Sequence, residues 1–415
     1  MKKTGLFIAL TAICLIGRSQ IDSSLLKRQS PDTARPKMNM DAIYNRPFLT
    51  SDKVPLSLGG YVEGNYQHLS TDGVSQGHQF QFRRLSLFMA SSISRRIKFL
   101  TEIEFESGDG EEEGSQTEID FEYAALDIEF YHLLNFRGGI ILNPIGAFNQ
   151  NHDGPKWEFT DRPIAMTEML PGTWSNAGFG IFGKQYQDDW MFGYELYLTG
   201  GFSDDIIDND RGMTYLPEAK ERPGRFMSSE NGQALFTGKV AARHNKIGEV
   251  GLSYMSGIYN QYIKDGAVID NARRLDVLAL DANTTLPYTK TRIVAEWAWV
   301  GLQLPENYTR QYGNRQMGGF ADLIQPVLKG NLMGWSDAVF NLACRFEYVD
   351  WNVGTFNETG DRIGDELWSV MPGTSFRPSP RTVLRLNYRY LRSRDFFYNS
   401  PSLTGGFIVG FSTYF

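Results

Sequence analysis

The chain has 415 residues, of which 41% are hydrophobic and 13% aromatic, with 42 glycines and a formal charge of −7. That acidic balance argues against a nucleic-acid partner, which calls for a basic face, and two cysteines, Cys14 and Cys344, are too few for a disulfide framework. Beyond residue 19 no apolar run approaches the ~18 residues of a membrane helix, so helical spans are excluded.

In chain order, Lys2 and Lys3 come first, followed by an uncharged apolar stretch from Gly5 to Ile16. Gly17 and Ser19 then put small side chains at −3 and −1 of a cleavage site before Gln20. This is the layout of a secretory signal peptide, and the run is too short to span a bilayer. Residues 1–19 are expected to be lost on export, and with them Lys2, Lys3 and Arg18, which takes the formal charge from −7 to −10. Residues 20–55 hold Pro31, Pro36, Pro47 and Pro55, mixed charges and no periodicity, and read as a flexible periplasmic segment.

From 56 to 415 the dominant signal is alternation over stretches of about ten residues, broken by Gly, Asp, Asn and Ser clusters. Ile97, Phe99, Ile103 and Phe105 oppose Lys98, Glu102, Glu104 and Glu106. Ile119, Phe121 and Tyr123 oppose Glu118, Asp120 and Glu122. Trp190, Phe192, Tyr194, Leu196 and Leu198 form another apolar row, and Leu384, Leu386, Tyr388 and Tyr390 oppose Arg385, Asn387 and Arg389. A period of two excludes amphipathic helices. Candidate strands fall near 56–68, 79–92, 97–106, 117–129, 135–143, 177–187, 190–200, 234–243, 247–257, 272–282, 288–300, 317–328, 337–349, 364–376, 383–395 and 404–415.

The expected fold is therefore all-β: a transmembrane antiparallel barrel of about 16 strands, with short periplasmic turns and long outer loops at 144–176, 201–233 and 301–316. Tyr61, Tyr66, Trp297, Trp299 and Trp351 are expected in the interfacial girdles. Phe407, Val409, Phe411 and the terminal Phe415 share one face of the last strand, the pattern that the barrel-assembly machinery of a Gram-negative outer membrane reads.

Two motifs point elsewhere and are set aside on context. Gly73-Val74-Ser75-Gln76-Gly77 fits a nucleophile elbow but has no helix after it and reads as an outer loop. Gly178 to Gly183 fits G-x-G-x-x-G, yet an alternating strand follows where a dinucleotide site needs a helix. The five histidines show no metal-ligand spacing, and His152-Asp153 sits in a loop beside Gly154-Pro155. No metal, cofactor or catalysis is expected.

Over 79–183 the chain resembles the phosphate-selective porin O/P-type family of outer-membrane channels. The resemblance is carried by Phe82-Arg83-Arg84-Leu85-Ser86-Leu87, Gly139-Ile140-Ile141-Leu142-Asn143-Pro144, Asp161-Arg162-Pro163 and Asn176-Ala177-Gly178, together with the strand ending at Phe415. It implies that the third outer loop, 144–176, folds inward and narrows the lumen, with Lys156, Glu158, Asp161 and Arg162 at the narrowing. The family's lysine before the proline is replaced here by Leu142 and Asn143, and Ser86 stands where it has a further arginine.

The expected function is passive diffusion of small hydrophilic solutes or ions through a charged aqueous lumen. Expected pore-lining residues are Arg84, Glu102, Glu104, Glu118, Asp120, Glu122, Arg292, Arg345, Glu347, Arg385 and Arg389, with Arg274, Asp276 and Lys290 assigned to the same face. The two signs nearly balance, so strong ion selectivity is not expected. The carboxylates crowd the third and fourth strands and the bases the fifteenth, which leaves two alternatives: a transverse field, or charges that pair locally. Expected partners are outer-membrane lipid, lipopolysaccharide, the assembly machinery and, by analogy with sixteen-stranded porins, two further copies in a homotrimer. The competing readings are an outer-membrane barrel enzyme and a closed structural or adhesive barrel.

Overall fold

The structure is a computed structural model that describes residues 37–47, 56–107, 117–221, 224–227, 231–306, 313–356 and 359–415. The expected signal peptide and most of the segment 20–55 lie outside the described residues. The strands are β1 (Ser57–Thr71), β2 (Val74–Ser94), β3 (Ile97–Ser107), β4 (Thr117–Tyr131), β5 (Leu134–Leu142), β6 (Ser175–Gln187), β7 (Trp190–Gly200), β8 (Ala234–His244) and β9 (Gly248–Ile258). They continue with β10 (Ile263–Lys264), β11 (Ala267–Val268), β12 (Arg274–Thr285), β13 (Arg292–Leu302), β14 (Arg315–Leu332), β15 (Trp335–Asp350), β16 (Glu366–Ser379), β17 (Thr382–Ser393) and β18 (Ser402–Tyr414). Strands β10 and β11 form a small hairpin in the connection from β9 to β12; the other sixteen close into one antiparallel barrel, with β1 paired to β18. Each of the sixteen candidate strands of the sequence has its counterpart.

Closure follows from the alternation. Leu196, Leu198, Leu384, Leu386, Phe407 and Val409 are exposed on the outside, where hydrocarbon replaces water, while Glu195, Arg385, Asn387 and Ser412 point inward. Hydrocarbon offers no hydrogen-bond partner, so a spanning sheet has to leave no edge. Turns at one rim are tight. At the other, Asp72 and Gly73 both take positive φ (52° and 83°), the conformation of a two-residue hairpin turn, so Val74 to Gly77 belong to β2 and not to a loop. Gly178 to Gly183 lies wholly within β6.

Parity fails at a few places. Strand β4 carries a bulge: Glu102 pairs with Tyr123 and Ile103 with Phe121, leaving Glu122 as the extra residue. Acids therefore point inward before the bulge, while Tyr123, expected outside, is buried in the lumen. Tyr61, expected in a girdle, is also fully buried, and its hydroxyl donates to Glu104 at 3.0 Å. Arg274 and Asp276 face outward, not inward: they pair with each other at 2.9 Å and with the Tyr254 hydroxyl near the outer end of β12, where the wall leaves the apolar layer and a charge pair stays hydrated. Lys290 is exposed in the turn between β12 and β13.

Candidate functional site: the barrel lumen

Three stretches of the chain occupy the lumen. The first is the segment from Met38 to Pro47, which forms a 3-10 turn over Asn39–Tyr44. It crosses between inward-facing side chains of the short-turn half of the wall. At one end the Asn39 amide donates to both Glu249 oxygens at 3.1 Å and its side chain to Asp281 at 3.3 Å, while Met38 and Met40 lie over Gly193. Lys184 pairs with Asp41. In the middle, Ile43 packs with Ala90, Leu100, Tyr123, Ala125 and Tyr197. At the other end Arg46 bonds Glu102 at 2.5 Å and Asp153 at 2.9 Å. This part of the segment 20–55 thus has fixed partners that its lack of periodicity did not announce.

The second stretch is the β5–β6 connection, 143–174. It carries all four residues assigned to a narrowing, and each meets a wall or loop charge. Glu158 accepts from Arg292 at 3.0 Å, Arg377 at 2.9 Å and Ser375 at 2.5 Å. Asp161 lies between Arg83 (3.0 Å) and Arg389 (2.8 Å). Arg345, itself locked to Asp322 at 2.7 Å, donates to the Asp161 carbonyl at 2.7 Å. Arg385 donates to the carbonyls of Phe159 and, at 3.0 Å, Gly154, and the Ile164 amide donates to Glu347 at 2.9 Å. Toward the acidic strands, Arg162 approaches Glu104 at 3.5 Å, and Lys156 pairs with Asp153 within the loop at 3.0 Å.

The third stretch, the described part of 201–233, adds further bases. Lys220 reaches Glu122 at 3.0 Å and Arg225 pairs with Asp120. Arg84 serves Glu104 at 3.2 Å and Glu106. Glu118 takes its place in β4 opposite Glu106. Of the two electrostatic alternatives, local pairing prevails: the loops bring bases to the acidic strands and acids to the basic ones. A buried charge left alone costs several kcal/mol, which is why these charges meet either an opposite charge or, as at Glu347 and Arg385, backbone groups of the loop.

The wall from β8 to β15 is different. There Ile145, Phe148, Met166, Met169, Leu170 and Trp174 of the second stretch pack with Met255, Leu275, Val277, Val300 and Phe320 of the strands. Glu296 anchors this foot by accepting from the Ala147 and Phe148 amides at 2.8 Å. Gly146 sits at φ 65°, and a Cβ there would lie 1.5 Å from a Glu296 oxygen, so glycine is required. A cavity of about 10 Å³ among Phe148, Met166, Leu170, Trp174 and Glu296 has room for roughly one water.

The loop carboxylates are tuned by these partners. Burial pushes Asp153 up, but Arg46, Lys156 and His152 outweigh it and hold its carboxyl well below the usual range. Glu158 is likewise lowered, burial being overcome by Arg377 and Arg292, and Asp161 by Arg389 and Arg83. Glu102, His152 and Asp153 bring ligand atoms within 4.8 Å of one another, a group that the sequence spacing did not reveal. Arg46, Arg83, Arg377, Lys220 and Arg225 were missed as lumen residues as well; Arg83 lies at the β2 bulge and the others lie in or beside irregular backbone, where parity gives no guide.

No protein-family model matches the sequence. An uncharacterised protein of Aquifex aeolicus (strain VF5) is 29% identical over 222 residues, which is 53% of this chain and 48% of that protein; the match spans about half of the relative's length. Among solved structures, an anion-selective porin from Comamonas acidovorans matches with a TM-score of 0.54 at 12% identity, over 87% of this chain and 99% of that one. The outer membrane channel DcaP of Acinetobacter baumannii matches with a TM-score of 0.51 at 12% identity, again over 87% and 99%. The loop L8 deletion mutant of OmpT, an outer membrane protein of Vibrio cholerae, matches with a TM-score of 0.52 at 9% identity over 87% and 99%.

This last match corrects one expectation. The sequence reads as excluding an enzyme, but a fold likeness that takes in OmpT as well as porins gives no ground for that exclusion, and it is withdrawn. The likeness to the phosphate-selective family is not carried by these structures; what they share with this chain is the sixteen-stranded barrel. The chain is a closed sixteen-stranded antiparallel β-barrel of the porin fold, with its lumen lined mainly by paired charge on one side and mainly by apolar packing on the other.

Proposed function

We propose that the protein is a porin-like channel that passes small hydrophilic solutes, with a modest preference for anions, along the wall where β13 to β17 and Arg83 face the second stretch of chain. The observation that carries this reading is the gathering of Arg83, Arg292, Arg377 and Arg389 on just two loop carboxylates, Glu158 and Asp161. Guanidinium groups in such a fork-like array suit carboxylate and phosphate alike, which is also what the resemblance to the phosphate-selective family suggests. Residues 144–176 form the constriction in this reading, with Lys156, Glu158, Asp161 and Arg162 at its tip, and passage requires that tip to move off the wall. The other wall residues expected from the sequence, Arg84, Glu102, Glu104, Glu118, Asp120, Glu122, Arg345, Glu347 and Arg385, set the field along the path.

We further propose export with loss of residues 1–19, a periplasmic segment from residue 20 up to the described Lys37, assembly through the strand ending at Phe415, contact with lipopolysaccharide, and a homotrimeric state. The test is single-channel recording in planar bilayers under a salt gradient. Stable steps with a reversal potential on the anion side, moved toward the cation side by Arg83→Gln with Arg389→Gln, support the reading. Well-folded protein that conducts no ions overturns it and selects the second reading, a closed structural barrel, which the packed lumen favours.

A further inference from the structure

The contact between Arg46 and the wall has the makings of a binding site in its own right. The guanidinium is 2% exposed and its two carboxylate partners are fully buried. One nitrogen reaches Glu102 at 2.5 Å, and the fork made by that nitrogen and Nε grips Asp153 at 2.9 and 3.2 Å. The plane lies against the ring of Phe88, 3.8 Å from its centroid. Each carboxylate is held from behind: the Ser86 hydroxyl donates to Glu102 at 2.6 Å, and the Tyr414 hydroxyl donates to Asp153 at 2.7 Å. Lys156 stands 3.0 Å from Asp153, and the His152 Nε2 lies 3.3 Å from a Glu102 oxygen, which can only accept from it. Two fixed carboxylates and an aromatic face match the geometry of a planar cation with several donors, and they match an ammonium far less well.

All of the receptor groups belong to the barrel and its β5–β6 connection, whereas Arg46 arrives on a separate strip of chain. That strip is anchored elsewhere by Asn39 on Glu249 and Asp281, and by Lys184 on Asp41, groups that do not touch the Arg46 end. The receptor groups thus come from a different part of the chain than their occupant.

We propose that Glu102, Asp153 and the Phe88 ring form a guanidinium-binding site in the lumen, filled here by the chain's own Arg46, and that solutes bearing a guanidinium group compete with residues 38–47 for it. The strip is then an internal ligand, and displacing it frees the short-turn half of the lumen. Withdrawal would leave Glu102 and Asp153 with only His152 and Lys156 as basic neighbours among the described residues, whereas Asp281 keeps Lys239 at 2.8 Å and Glu249 keeps Arg243 at 3.6 Å, so the uncompensated acidity is confined to the Arg46 site and suits a cationic guest there.

The experiment does not depend on conduction, so its failure is separable from failure of the channel reading. The full mature chain carrying Cys344→Ser and Ile43→Cys is prepared with and without Arg46→Ala, and folding is confirmed by heat-modifiable migration. A membrane-impermeant maleimide should label the thiol introduced by Ile43→Cys on the order of ten-fold faster in the Arg46→Ala form, since an opening equilibrium has lost its buried anchor. Millimolar methylguanidinium should raise the unfolding midpoint of the Arg46→Ala form saturably, and tetramethylammonium should not. The same ion should leave the midpoint of the triple variant Arg46→Ala, Glu102→Gln, Asp153→Asn unchanged. Arg46→Lys should label faster than the parent. Absence of a saturable methylguanidinium effect in folded Arg46→Ala protein overturns the proposal, as does an equal effect in the triple variant, or Arg46→Lys labelling at the parent rate.

Discussion

The two halves of the lumen solve the same problem with opposite chemistry. Toward β1–β4 and β15–β18 the inserted chain is held by charge: Glu158 and Asp161 on wall arginines, Arg162, Lys220 and Arg225 on wall acids. Toward β8–β14 Phe148, Met169, Leu170 and Trp174 pack on apolar strand residues, and the wall charges Glu296 and Lys239 grip only backbone groups of the loop. Water and ions can replace the partners of a charge, but they cannot replace the partners of a buried methionine. One connection, 143–174, therefore has a foot packed on apolar side chains and a tip held by ion pairs, and in the proposed channel it is the tip that exchanges. A channel that opens without unfolding needs such a division.

The comparison can be broken at its strongest point first. Arg345→Leu leaves Asp322 buried without its cation and should cost about 3–5 kcal/mol in urea unfolding from lipid vesicles. Replacing both residues by leucine should recover most of that loss, because a well-packed apolar pair often matches a buried ion pair. If the double variant is as unstable as the single one, the charged half is held by something other than mutual neutralisation.

On the apolar side, Met169→Ala should cost about 2–5 kcal/mol, a loss independent of salt and pH. A salt-sensitive loss would erase the distinction between the two halves. Gly146→Ala adds a Cβ onto the Glu296 carboxylate at a positive φ and should cost about 1–3 kcal/mol in the same assay, by strain and by displacing the acceptor of the Ala147 and Phe148 amides.

The pH response separates the halves through one reporter thiol in each. Asp153, Glu158 and Asp161 all titrate below their usual range in the folded state. Their contribution is fully present above the ordinary carboxylate values and is lost as pH falls through the lowered ones. Labelling of a cysteine placed at Trp157 by a pyridyl disulfide, which stays reactive toward thiols in acid, normalised to the rate in unfolded protein, should stay slow at neutral pH and accelerate only in acid below the ordinary carboxylate range, while one at Met169 should not respond. Acceleration on raising the pH instead would reverse the sign and sink the assignment. The smallest effect is expected outside the lumen: Arg274→Gln on the outer face should leave the unfolding midpoint where it is, since exposed pairs contribute little.

Much of this was legible in the chain. Rows such as Leu384, Leu386, Tyr388 and Tyr390 against Arg385, Asn387 and Arg389 place themselves, because a strand in a bilayer has one greasy and one wet face and each residue's parity decides its side. The inward positions of Arg84, Glu102, Glu104, Arg345, Glu347 and Arg385 follow from the same rule. Tyr123 did not, because a single extra residue at Glu122 shifts the register and no local pattern marks it. Arg274 and Asp276 did not either, because charge alone does not tell lumen from the hydrated rim.

What the sequence determined by itself is the wall: the strand count, the closure, the greasy outside and the wet inside, all consequences of nearest-neighbour periodicity and of the absence of hydrogen-bond partners in hydrocarbon. What only the tertiary structure decided is the filling. Arg46 meets Glu102 across 56 residues and Glu158 meets Arg377 across 219. Such pairings are set by which irregular segment reaches which buried charge, a matter of three-dimensional proximity and of the cost of leaving a charge unpaired. No period in the chain encodes either.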